Sequence, residues 1–366
     1  MPLGLYVHLP FCRNHCTYCA FAISTDPAQE DPYVDALIRE ICAGSTKSGE
    51  RVDSIYFGGG TPSRTSLAGL ARVTAALREK WDVSTTVEFS MEANPEDISE
   101  EALAAWRALG VNRLSIGVQS FHDEELLPLG RVHSADRARA AVSVAVASGV
   151  RTNLDLMLGL PGQTPGSFAA TLDSATALGA GHISLYMLDL EERSPLAVQV
   201  ERGRTLLPED AMTADLYLVA IQQLEDAGLH QYEISNFARD GDECRHNLRY
   251  WTRGEYQGFG MGAHSFVDGR RFANTRDIGH YIGRSPAAED FTETLGEAEA
   301  KRETLFLGLR QTTGIDYEDV VRLCGQEGTE WMDRGLREGW LRRSAGRVAF
   351  TPSGFLVSND LISQLF

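Results

Sequence analysis

The chain has 366 residues, 43% of them hydrophobic and 23% charged, and reads as one large soluble α/β domain with a small appendage. A formal net charge of −17 argues against a broad nucleic-acid-binding face, which needs clustered Lys and Arg, so no nucleic-acid partner is expected. Six cysteines, three of them clustered and three isolated, are too few and too uneven for a disulfide framework.

No charged-then-apolar leader precedes the first apolar run, and no run approaches the roughly eighteen apolar residues of a membrane span. The expected setting is the reducing cytoplasm, where clustered thiols favour a metal over a disulfide.

In chain order, short β-rich runs alternate with helical patterns. The expected strands are Leu3–Leu9, Arg51–Phe57, Thr85–Glu92, Arg113–Gly117, Arg151–Leu158 and His182–Leu188. Between them lie the apolar-periodic segments Pro32–Ala43, Ser66–Lys80, Ser99–Leu109, Ser134–Ser148 and Pro165–Leu178, with Ser99 and Ser134 as N-caps. Strands joined by crossover helices imply a parallel sheet, wound right-handedly. Candidate functional residues fall at the C-terminal end of nearly every strand, which favours a partial (β/α)6 barrel over an open doubly wound sheet.

A long helix (Asp210–Ala227) and a further strand (Gln231–Ile234) complete a barrel domain over residues 1–235. Residues 236–290 are Gly-, Arg- and aromatic-rich and read as a connecting segment of loops and short elements covering the barrel mouth. Residues 291–366 carry helices at Glu297–Arg310, Tyr317–Cys324 and Gly328–Glu338, then a hairpin around Gly346, an order that resembles a winged-helix module. With so acidic a chain, packing or partner binding is the expected role of that α+β module.

The chemistry starts at Cys12-Arg-Asn-His-Cys16-Thr-Tyr-Cys19, straight after the first strand. Thiolates at this spacing can converge on a soft metal centre, and three ligands to a [4Fe–4S] cluster leave one iron open. A zinc site completed by His8 or His15, or a plain set of buried thiols, are the alternatives. Gly58-Gly59-Gly60-Thr61 ends the second strand, where the backbone could approach a carboxylate or phosphate closely. Glu92 ends the third strand and could receive an ammonium group. Gln119 closes the fourth, Arg131 follows on a loop, and Asp155 lies within the fifth. A buried strand Asp needs a partner, and an Arg is the plain structural one. Together these groups suit a zwitterionic amino acid attached to a nucleoside.

With Gly-Val-Gln-Ser-Phe after the fourth strand, these motifs resemble the radical S-adenosylmethionine (SAM) superfamily. More narrowly, the chain is similar to the group containing oxygen-independent coproporphyrinogen III oxidase and the HemW-type haem chaperones. The likeness extends through Tyr232-Glu-Ile-Ser-Asn-Phe-Ala, His246-Asn-Leu-Arg-Tyr-Trp and Gly260-Met-Gly-Ala-His-Ser. It implies that Cys12, Cys16 and Cys19 hold the cluster and that SAM sits on the open iron. Tyr6, Tyr18, Gly59, Gly60, Thr61, Glu92, Gln119, Arg131 and Asp155 would line the SAM pocket.

Two departures separate the group's members. The oxidase type resembles C-x3-C-x2-C-x-C, but Phe21 stands here at the place of the further cysteine, and only five residues precede Tyr6. Ala20 also stands where the chaperones often carry Asp. The resemblance therefore implies a haem chaperone, with a coproporphyrinogen III dehydrogenase as the alternative if the chain is an enzyme. It implies haem as a partner and a haem-acceptor protein, a membrane-associated one among the candidates. His246 and Tyr250, at i and i+4, would be the haem-binding pair, since imidazole and phenolate both serve as axial ligands. Cys244 is an alternative ligand, and Arg245, Arg249 and Arg253 would meet the propionates. The plain alternative packs Tyr250 and Trp251 in the core. Cys42 and Cys324 are read as helix residues without a function.

Overall fold

The computed structural model describes residues 2–44, 51–192, 194–286 and 289–365. Six parallel strands, β1 (Leu3–Leu9), β2 (Arg51–Gly59), β3 (Asp82–Ala93), β4 (Arg113–Gln119), β5 (Arg151–Leu158) and β6 (His182–Met187), lie side by side in chain order. Right-handed crossovers in an order that never reverses put every helix on one face, so the sheet has to curl. The edges β1 and β6 do not pair, which makes the barrel a partial one. The alternation of β1 shows its polarity. Leu3, Leu5, Val7 and Leu9 are fully buried against the helices, while Tyr6 and His8 alternate with them towards the barrel interior.

The crossover helices begin where the caps were expected. Ser99 accepts a hydrogen bond from the Ala102 N–H and Ser134 from that of Arg137, both at 3.2 Å. Strands β2, β3 and β4 run beyond their expected ends, through Gly59, Ala93 and Gln119. The ladder therefore carries the candidate site residues right to the mouth.

Two expectations are corrected downstream of β6. The strand expected at Gln231–Ile234 is instead the short β7 (His230–Gln231) and β8 (Asn236–Ala238), antiparallel to each other, with β8 on the β6 edge. Between them Ile234 N–H donates to the Arg310 carbonyl at 2.9 Å and Glu233 bridges Gln311, so this stretch pairs with the C-terminal module. Nor is the 236–290 segment mainly loops over the mouth. It supplies β9 (Tyr256–Phe259), parallel to β1, followed by antiparallel β10 (His264–Val267) and β11 (Arg270–Asn274), with β12 (Glu289–Thr294) beyond. These runs of four or five residues, broken by glycines, are too short to show an alternation. A Cβ at Gly258 would stand 2.2 Å from the His264 carbonyl oxygen, so the glycine that reads as loop is what allows the strands to approach.

The C-terminal module has the expected winged-helix order. Helix Glu297–Leu309 leads to β13 (Ile315–Asp316), then helix Tyr317–Arg337 broken at Gly325, then β14 (Leu341–Ser344) and β15 (Arg347–Phe350). Its hairpin arginines are engaged internally: Arg342 and Arg347 donate to the Thr312 and Thr313 carbonyls, and Arg343 lies over the Tyr317 ring. Among the described residues no helix is long and apolar enough to cross a membrane.

One half-buried carboxylate fastens the sheet extension to the barrel. Glu40, on helix Glu30–Ala43, accepts from Gly260 N–H (2.8 Å), Asn274 Nδ2 (2.6 Å) and the Tyr281 hydroxyl (2.6 Å). Replacing it by alanine takes the acceptor from Gly260 N–H and the Tyr281 hydroxyl and leaves Asn274 Nδ2 only the Gly260 carbonyl. Glu40→Ala is expected to lower unfolding stability by about 2–4 kcal/mol, read from the urea midpoint. An unchanged midpoint would contradict this role.

Candidate functional site

The cysteine loop leaves β1 and is closed at its base by backbone pairing. Cys12 N–H donates to the Ser24 carbonyl (2.9 Å) and Ser24 N–H to that of Pro10 (2.8 Å). Its far side is tied to the loop after β4, through Thr17 N–H to Leu129 (3.1 Å), Thr17 Oγ1 to Pro128 (2.7 Å) and Asn14 Nδ2 to Gly130 (2.7 Å). Below it, the end of β2 comes close because it lacks side chains. A Cβ at Gly60 would lie 2.4 Å from the Pro10 carbonyl oxygen and 3.0 Å from Cys12 Sγ, and Gly59 has φ +116°.

Between these loops and the strand ends lies a cavity of about 290 Å³. The structure brings Cys12, Cys16, Cys19, Tyr18, Gly59, Gly60, Thr61, Glu92, Gln119, Arg131 and Asp155 together around it. Tyr6 is not among the lining residues. It stands behind Tyr56, the two rings stacked at 6.2 Å, with its hydroxyl 3.2 Å from His8 Nδ1.

All three loop cysteines are free thiols. Burial pushes Cys12 up to about 11, so the bare chain keeps it protonated, and a bound iron would deprotonate it. Among the described residues no three His, Cys, Asp or Glu side chains converge on a point fit for a single metal ion. The His8 ligand proposed for zinc is also engaged, with Nε2 2.8 Å from the Ala22 carbonyl oxygen and Nδ1 on Tyr6. Three thiols lining one cavity, beside glycines that leave room, fit a body larger than one ion.

Three carboxylates line the same cavity, Glu92, Glu96 and Asp155, of which Glu96 faces His133 Nδ1 at 3.5 Å. Glu92 accepts from the Tyr56 hydroxyl and from Gly59 N–H, both at 3.0 Å. Burial, reinforced by Asp155 nearby, pushes its carboxyl up to about 8. Asp155 accepts from Ser115 Oγ (3.1 Å) and Asn153 Nδ2 (2.8 Å), and burial pushes it up to about 6. The arginine expected as its structural partner makes no ion pair with it: Arg113 acts on Asp155 only at longer range. Arg131 donates to Asn94 Oδ1 (2.6 Å), to the Gly117 carbonyl (2.7 Å) and towards Cys16 Sγ (3.6 Å). Among the described residues neither Glu92 nor Asp155 has a cation within ion-pair distance, although Arg113 acts on Asp155 from further away. Gln119, at φ +66°, holds a left-handed conformation that a non-glycine residue adopts at a cost of about 1–3 kcal/mol.

Tyr56, Asn94, Ser115 and Tyr186 line the same cavity and were not singled out from the sequence. A signal existed: Ser115, Asn153, Asp155 and Ser184 put polar groups on the inward positions of otherwise apolar parallel strands.

The haem-binding candidates His246 and Tyr250 do not line the thiol cavity. On helix Arg245–Trp251 the two residues do share a face, but that face turns into the barrel. His246 is fully buried, with Nδ1 3.0 Å from Ser54 Oγ and Nε2 2.8 Å from the Tyr250 hydroxyl. Burial pushes its imidazole down to about 3 and holds the Tyr250 phenol protonated. Both ring nitrogens are thus hydrogen-bonded within the chain. Cys244 is buried as well, its sulfur 3.5 Å from Glu88 Oε1. The arginine stripe is neutralised by the chain itself: Arg245 faces Glu88, Arg249 pairs with Asp53 and Arg253 with Glu303.

The raised carboxyl of Glu92 has a consequence for the metal-free protein. Its folded-state pKa lies above its unfolded value, so the folded chain keeps a proton that the unfolded chain has released. Stability therefore falls as pH rises from the ordinary value of 4.5 to about 8. In Glu92→Gln that titration is gone. Its thermal midpoint relative to wild type is expected to climb across this window, and a flat difference would contradict the assignment.

The model of the radical SAM superfamily matches residues 6–175. The heme chaperone HemW of Bacillus subtilis is 36% identical, over 97% of both chains. HemW of Escherichia coli is 33% identical, over 100% of this chain and 98% of its own. Among solved structures, coproporphyrinogen III oxidase (HemN) of Escherichia coli superposes with a TM-score of 0.86 and 25% identity, covering 100% of this chain and 90% of that one. With the thiol-lined cavity at the mouth of a partial barrel, and full-length identities of 33% and 36%, the chain belongs to the HemW family within the radical SAM superfamily.

Proposed function

We propose that this protein binds haem and passes it to an acceptor protein, and that it carries a [4Fe–4S] cluster on Cys12, Cys16 and Cys19 with an exchangeable SAM. The observation that carries the reading is the full-length likeness to heme chaperones named HemW. Phe21 adds to it. It is 66% exposed and lines the cavity at the place where the oxidase type would present a fourth cysteine. Free thiols in such a cluster suit the reducing cytoplasm.

When bound, the cluster and SAM would supply an open iron and one-electron chemistry. The chain's own residues then have separable tasks. The three thiolates hold iron, and the Gly59–Gly60 turn leaves the space beneath them. Glu92, oriented by Tyr56 and Gly59, takes the ammonium of an amino acid, which also releases the proton that burial had kept there. Asp155 and Ser115 offer acceptor and donor to ribose hydroxyls. Arg131 braces the β4 end against the cysteine loop, so a shift in one is felt by the other.

His246 and Tyr250 are hydrogen-bonded to each other in this fold, and the cavity rim offers haem a second surface. Phe21, Val132 and Tyr186 line the cavity and are 66%, 49% and 42% exposed, an apolar rim that suits a flat macrocycle.

A coproporphyrinogen III dehydrogenase remains the second reading because of the fold shared with HemN. Anaerobic incubation of the reconstituted protein with SAM, reductant and coproporphyrinogen, beside a haem titration, separates the two. Stoichiometric haem binding without porphyrinogen conversion is expected. Conversion to protoporphyrinogen would overturn the chaperone reading.

A further inference from the structure

We infer that His246 is a positioning residue for the SAM cavity: stacked against Tyr56, it holds the Tyr56 hydroxyl on Glu92 and so sets the affinity for the ligand's ammonium group. The inference rests on the SAM reading of the cavity and assigns the His246 helix a part in it.

Tyr56 is the shared member of two contacts. Its hydroxyl donates to Glu92 Oε1 at 3.0 Å inside the cavity. Two other rings pack near-parallel to its own, Tyr6 (6.2 Å, 22° between planes) and the His246 imidazole (5.3 Å, 28°). His246 is itself immobilised from three directions. Ser54, two residues before Tyr56 on the same strand, holds Nδ1; Tyr250 holds Nε2; and Glu88 accepts from its backbone N–H at 3.0 Å. The imidazole is therefore a rigid plate that denies the Tyr56 ring any other position. Without that plate, Tyr56 can tilt into the vacated space, and its hydroxyl leaves a carboxylate that then has only Gly59 as donor.

A purely structural role predicts a different pattern of substitutions from a positioning one. His246→Phe keeps a ring against Tyr56 and gives up the hydrogen bonds to Ser54 and Tyr250. His246→Gln keeps hydrogen-bonding atoms and gives up the ring. Tyr56→Phe, nearly isosteric, removes the hydroxyl alone.

The test is SAM binding by equilibrium dialysis to the anaerobically reconstituted full chain, with a haem titration in parallel. Tyr56→Phe and His246→Gln are each expected to weaken SAM about tenfold, and the double variant about tenfold rather than about a hundredfold, because both remove the same interaction. His246→Phe is expected to bind SAM as wild type does, even if its thermal midpoint falls. The haem spectrum and stoichiometry of His246→Gln are expected to match wild type. Unchanged SAM affinity in His246→Gln, a multiplicative double variant, or loss of haem binding would each overturn the inference and leave the SAM reading standing. Absence of SAM binding by the wild type would overturn both.

Discussion

A single buried carboxylate, Glu88, determines how the barrel is closed at its base. It has no exposed surface and accepts from the N–H groups of Arg245 (3.1 Å) and His246 (3.0 Å). Arg151 and Arg245 stand at 3.6 and 3.8 Å. A buried carboxylate needs such company, since unpaired it would cost several kcal/mol, on the order of the whole margin of folding. Here the company is the start of helix Arg245–Trp251. By satisfying Glu88 the helix is drawn into the floor of the partial barrel, and everything above it is stacked in turn: His246 on Tyr56, Tyr56 on Glu92, Glu92 at the cavity wall.

The cavity at the other end is built on the opposite principle. Its carboxylates Glu92 and Asp155 have hydrogen-bond donors but no cation within ion-pair distance, and Gln119 holds a strained backbone at the end of β4. Such a site is costly while empty and becomes favourable when a cationic group enters, because orientation and desolvation have already been met by the fold. The glycines at 59 and 60 and the loop ties through Asn14 and Thr17 do the same for the thiols: they bring Cys12 to the strand end without leaving the loop free to wander.

Much of this was legible in the sequence because it is local. Six apolar runs with capped helices between them give the parallel sheet, and strand-end residues at similar offsets give the mouth. The cysteine spacing, the Gly-Gly-Gly-Thr turn, Glu92, Gln119, Arg131 and Asp155 all meet in one cavity. What failed was the direction of contacts between distant segments. The i, i+4 spacing of His246 and Tyr250 states that they share a face but not what that face meets. Here it meets Ser54 and Tyr56, nearly two hundred residues earlier in the chain. Asp155 lies one strand from its partners Ser115 and Ser184, which are small hydroxyls hidden in apolar runs. An arginine was the better guess only because such hydroxyls carry no signal of their own. Strands β9 to β11 escaped notice because each is too short to alternate.

The account stands or falls on whether the thiol-lined cavity holds a cluster with an iron open to SAM. The most direct measurement is the electron paramagnetic resonance spectrum of the reconstituted, reduced protein before and after SAM is added. Coordination at an open iron beside Glu92 changes the g-values of the reduced cluster. A spectrum that SAM leaves untouched, or a preparation that takes up zinc and no sulfide, would contradict it.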